Sequence, residues 1–154
     1  MRKSTASERW DADDGDDRVR VVLECPAEAS PALIAQLIER HGYAVRTCEG
    51  PGARPCSLLA YGACELVDGA DVVVNMLTPG PVQHDVLHAV AGTRRPPAVI
   101  AEIPRATDLV AGGPGGAPVP ENVTVVTKPT TTRKLMDAMD QALDRGGKDR
   151  ALPS

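Results

Sequence analysis

A chain of 154 residues has the length of one domain with tails rather than of two domains. With 17 Lys and Arg against 21 Asp and Glu the net charge is −4, which argues against an electrostatic nucleic-acid binder. Aromatic residues make up 2% and Phe is absent, so the core has to be aliphatic, and the stacking platforms of single-strand readers are missing.

Residues 1–18 (MRKSTASERWDADDGDDR) hold one large apolar side chain, Trp10, within an acidic stretch. Too little can be buried there to offset the entropy of ordering, so a disordered tail is expected, with Trp10 incidental to it. One domain is expected over 19–145. Val19–Cys25 is a β-branched run that suits a buried strand. Ser30 offers an N-cap and Pro31 a first helical position, followed by Leu33, Ile34, Leu37 and Ile38 at one-face spacing, with Gly42 as the stop. Tyr43–Cys48 reads as a second strand. A Pro/Gly-rich loop then leads to a helix predicted over Ser57–Val67.

Asp71–Leu77 (DVVVNML) is the clearest strand. Pro81–Thr93 is predicted helical, with Val82, Val86 and Val90 on one stripe and His84 and His88 facing away from it. Pro97–Ile103 is a fourth strand. The Gly/Pro-rich stretch 104–122 predicts an extended loop where a helix would otherwise stand. Val123–Thr127 is a fifth strand, and Thr130–Arg145 a last helix buried through Leu135, Met136, Met139 and Leu143. Residues 146–154 read as a flexible end. Strands alternating with helices imply an α/β fold: a doubly wound parallel five-stranded sheet in three layers.

Three segments carry a family resemblance: PALIAQLIERHGYAV (31–45), DVVVNMLTPG (71–80) and TKPTTTRKLMDAMDQAL (127–143). On these the chain resembles the receiver domain of bacterial response regulators, whose fold is flavodoxin-like with strand order 2-1-3-4-5. The resemblance implies an aspartate nucleophile ending the third strand, an acidic pair after the first that holds Mg²⁺, a hydroxyl residue ending the fourth, and a Lys-Pro ending the fifth. Here Asn75 stands at the nucleophile position, and a neutral amide cannot form an acyl phosphate. The acidic pair is reduced to Glu24, or to Glu28 if the loop is longer, and Glu102 occupies the hydroxyl position. Lys128-Pro129 remains. Phosphotransfer is therefore not expected. Lys128 is read as neutralising carbonyls and the carboxylates of Glu24 or Glu102 at the strand ends.

Cys48, Cys56 and Cys64 stand at Cys-x7-Cys-x7-Cys spacing, with Cys25 apart. This is not zinc-ribbon spacing. The expected topology nonetheless brings Cys25, Cys48 and Cys56 to the carboxyl edge of the sheet, while Cys64 suits the apolar side of its helix. A thiolate-bound metal such as zinc, or a switchable disulfide, is the chemistry such a group would support. GGPGG at 112–116 lacks the features of a P-loop, and no GxGxxG follows the first strand. No catalytic constellation is found, so no enzymatic activity is expected.

The sequence thus points to a stand-alone, phosphorylation-independent pseudo-receiver acting by protein–protein interaction, with a cysteine-based metal or redox sensor as the alternative. Its partner would be a protein, a second copy of the chain included, and neither nucleic acid nor membrane. No apolar run reaches the roughly 18 residues of a bilayer span and no signal-peptide core is present, so a cytoplasmic location is expected.

Overall fold

Successive residues of β1 (Arg20–Glu24) are buried in opposite directions: Val21 and Leu23 enter one apolar cluster and Val22 the other. A strand covered on both faces needs such an uninterrupted apolar run. The computed structural model describes Trp10 and residues 18–51, 56–78, 80–104 and 122–150. β1 pairs in parallel with β2 (Ala44–Cys48) and β3 (Val72–Asn75). β3 pairs with β4 (Ala98–Ile103), and β4 with β5 (Val123–Thr127). The five-stranded sheet has the order β2-β1-β3-β4-β5, as expected.

α1 (Pro31–Glu39) and α5 (Thr132–Arg150) cover one face, where Ile38, Leu135 and Met139 pack against Leu23, Val72, Val74 and Ile100. The other face is covered by α2 (Ser57–Tyr61), α3 (Glu65–Asp68) and α4 (Pro81–Ala91), through Leu58, Leu66, Val86, Leu87 and Val90 on Val22, Val73 and Val99. Both clusters are almost wholly aliphatic. Burying a Val or Leu side chain contributes about 1.5–3 kcal/mol, so many small side chains replace the missing aromatics.

Several local expectations are corrected. Ser30 does not cap α1 with its hydroxyl; its N–H closes a 3-10 turn over Ala27–Ala29 onto the Ala27 carbonyl, which leaves its backbone left-handed at φ 59°. α1 turns Ile38 fully inward but leaves Leu33 63% and Leu37 37% exposed. The helix expected over Ser57–Val67 is two short helices, because Gly62 takes φ 78° and its N–H closes on the Leu58 carbonyl. Cys64 is therefore not inside a helix but extended, just ahead of α3. In α4 the inward arc is Gln83, His84, Val86, Leu87 and Val90, while Val82 is 50% exposed. His84 thus points inward rather than outward, because the arc is centred on Gln83 and Leu87 and not on the valine stripe. α5 runs on to Arg150, through Gly146 and Gly147.

Apart from Trp10 and Arg18, the expected tail lies outside the described residues. So does the loop between β4 and β5, with any fourth helix there, and so do residues 151–154. Among the described residues no helix is long and apolar enough to cross a membrane.

Candidate functional site

Parallel pairing sets Glu24, the last residue of β1, beside Asn75, the last residue of β3. Both are buried, Asn75 completely. The Asn75 side-chain Nδ2 donates to Glu24 Oε1 at 2.9 Å. Its Oδ1 accepts from the Leu77 backbone N–H and from Gln83 Nε2, each at 3.2 Å. Gln83 sits in the first turn of α4, and the same Nε2 donates to the Glu102 carbonyl at 3.0 Å. The Glu102 carboxylate in turn accepts from the Thr130 hydroxyl. A polar chain therefore links the ends of β1, β3 and β4 to the loop after β5.

Burial in this apolar setting pushes the Glu24 carboxyl up to about 7, and the donor from Asn75 offsets only part of that. Near neutral pH a large fraction of Glu24 is protonated. Both the nitrogen and the oxygen of the Asn75 amide are engaged in hydrogen bonds, and it has no ionisable oxygen. The arrangement can hold strand ends in register, but it presents no nucleophile.

Lys128 is placed differently from expectation. Its backbone N–H donates to the Ile103 carbonyl, while its exposed side chain has no hydrogen-bond or ion-pair partner among the described residues. Lys134 Nζ instead donates to the carbonyl of Thr127, which ends β5, and to that of Pro129 just after it, each at 3.0 Å. A side chain leaving the first turn of α5 reaches back over those carbonyls, which one at the strand end does not. The Lys128–Pro129 peptide is cis.

Beside the buried chain a cleft of about 440 Å³ opens at the carboxyl edge of the sheet, between α1 and α5. Glu28, Glu102, Lys128 and Thr130 give it polar walls, and Ile34 and Met76 an apolar floor. Glu24 and Asn75 do not line it. Of the four residues singled out, Glu24, Asn75 and Glu102 are joined in one network, and Lys128 stands outside it. Gln83 and Thr130 were missed; neither carries a signal beyond its place near a helix start.

No protein-family model matches the chain, and no curated protein does. Solved structures do. A response regulator receiver protein from Sinorhizobium medicae WSM419 superposes with a TM-score of 0.62 at 17% identity, over 84% of this chain and 98% of that one. A signal receiver domain from Vibrio parahaemolyticus gives 0.61 at 16%, over 89% and 98%. A response regulator receiver domain from Clostridium thermocellum gives 0.54 at 20%, over 83% and 95%. The fold is that of a receiver domain.

Within this receiver fold the cysteines do not form one group. Cys25 faces the α1/α5 side, while Cys48, Cys56 and Cys64 pack on the opposite side with Trp10. The expected meeting of Cys25 with Cys48 and Cys56 is therefore corrected: the backbones of Cys25 and Cys48 are hydrogen-bonded, but their side chains leave by opposite faces. All four thiols are free. Burial pushes Cys25 up to about 11, with help from Glu102 and Glu28. Burial also pushes Cys48 up to about 11, against the Gly50 N–H and with help from Glu24, Cys64 and Cys56. Among the described residues no group of three or more Cys, His, Asp or Glu is arranged to hold a metal. His84 is buried with its ring 4.8 Å from that of exposed His88.

Proposed function

We propose that the chain is a phosphorylation-independent, receiver-like signalling module that acts by binding another protein. The observation that carries this reading is the buried Asn75–Glu24 hydrogen bond at the strand ends. A phosphoryl group would have to enter there, and the site is instead closed by its own side chains. Gln83 adds a further donor to the Asn75 oxygen and ties it to the Glu102 carbonyl. The test is incubation with Mg²⁺ and a small-molecule phosphodonor, read by intact mass. Neither the native chain nor Asn75→Asp should gain a phosphoryl group, since the substitution sets a second carboxylate against Glu24 without completing an acidic metal pair. A stoichiometric acyl phosphate on either would overturn the reading.

The alternative, a cysteine-based metal or redox sensor, draws on Cys48, Cys56 and Cys64 lying on one face. The raised Cys48 thiol weighs against it, because the thiolate is the reactive and metal-binding form. Metal content and thiol titration of anaerobically purified protein decide between them. Stoichiometric metal with protected thiols would favour the sensor. Four freely titrating thiols without metal would remove the metal site.

A further inference from the structure

Trp10 is the chain's single tryptophan, and polar residues surround it in the sequence. It is nevertheless seated on the folded domain. Its indole Nε1 donates to the Leu66 carbonyl at 2.9 Å. The guanidinium carbons of Arg20 and Arg46 lie 5.4 and 5.5 Å from the ring centroid. The ring also lies so close to Gly69 that a Cβ there would come 2.8 Å from Trp10 Cδ1. Gly69 has φ −95° and ψ 2°, a backbone that residues with side chains also adopt, so local conformation does not require the glycine. The space is what the indole needs. A hydrogen-bond acceptor, two cations and a missing side chain, from β1, β2 and α3 with the turn after it, converge on one ring.

We propose that Arg20, Arg46, Leu66 and Gly69 form a recognition socket for a tryptophan followed by carboxylates, and that the chain's own Trp10 segment is its reversibly docked resting occupant. The sequence after Trp10 is Asp-Ala-Asp-Asp-Gly-Asp-Asp, the charge complement of two arginines. The few residues between Trp10 and Arg18 keep the indole at an effective concentration on the order of millimolar. A weak contact is then occupied most of the time and still releasable. This proposal does not depend on how the Asn75 site is read.

The single tryptophan makes the test spectroscopic. Emission of the native chain should be blue-shifted and shielded from acrylamide. Gly69→Ala should move it to that of an exposed indole while the far-ultraviolet circular dichroism is kept. A synthetic peptide of residues 8–17 should bind the Trp10→Ala chain with a saturable blue shift. It should bind the native chain about tenfold or more weakly, because the socket is already filled. It should not bind a chain carrying Trp10→Ala together with Gly69→Ala. An indole already exposed in the native chain, an unchanged indole in Gly69→Ala, or equal peptide binding by all three chains would overturn the proposal. Shielding that appears only with dimer formation in sedimentation would assign the occupant to a second copy and overturn the intrachain docking.

Discussion

Asn75 and Glu24 share a hydrogen bond of 2.9 Å at the ends of two adjacent parallel strands, with both side chains buried. An amide and a carboxyl satisfy each other where two carboxylates would repel. The pair explains why so polar a strand end can be buried, and it should make the domain's stability depend on pH.

Glu24 holds its proton to about pH 7 in the folded chain, against an ordinary 4.5. Between those values the folded state binds more protons than the unfolded one, so stability falls as pH rises and the loss is complete above about 7. A shift of this size is worth about 3 kcal/mol. Glu24→Gln should flatten the dependence: similar to native near pH 4, more stable than native at pH 8. Urea unfolding across that range measures it, and parallel native and variant profiles would refute it.

Gln83 ties α4 to the ends of both β3 and β4. Gln83→Ala leaves the Asn75 Oδ1 and the Glu102 carbonyl each short of a donor, at a cost of about 1–3 kcal/mol. The Leu77 amide, which donates to the same Asn75 oxygen, should exchange faster with deuterium. Unchanged exchange at Leu77 would show that the network does not act as a unit.

Gly50 holds φ 93°, and a Cβ there would meet Leu77 Cδ2 at 2.8 Å. The leucine methyl can swing aside, but the left-handed backbone cannot be relieved, so Gly50→Ala should cost about 1–2 kcal/mol. Adding Leu77→Ala should not restore the loss. A double-mutant cycle in urea separates the two contributions.

The Cys25 and Cys48 thiols, both pushed from 9.0 to about 11, should alkylate slowly in the folded chain. At pH 8 the thiolate fraction falls about a hundredfold relative to the unfolded chain; the greater nucleophilicity of a more basic thiolate offsets part of this, so iodoacetamide rates should fall about tenfold or more. Peptide mapping after timed quenching reads each site. Rapid labelling of Cys48 would revive the sensor reading.

The strands were legible in the sequence because parallel sheets need Val-rich runs buried on both faces, and VRVVLEC, DVVVNML and PAVIAEI leave little choice. The Lys-Pro after TVVT and the three family-like segments carried the strand order. Asn75, Glu24 and Glu102 could be placed at strand ends by counting, since strand ends converge on one edge. Tertiary structure decided what those residues meet. Gln83 reaches Asn75 because α4 is rotated away from its valine stripe, Lys134 rather than Lys128 holds the strand-end carbonyl of Thr127, and Cys25 leaves Cys48 by the opposite face. Trp10 acquired a seat only once β1, β2 and α3 were side by side. Periodicity along a chain encodes which residues face inward together. Which polar group lies within 3 Å of which is set by helix rotation and strand stagger, and no local pattern in the sequence records either.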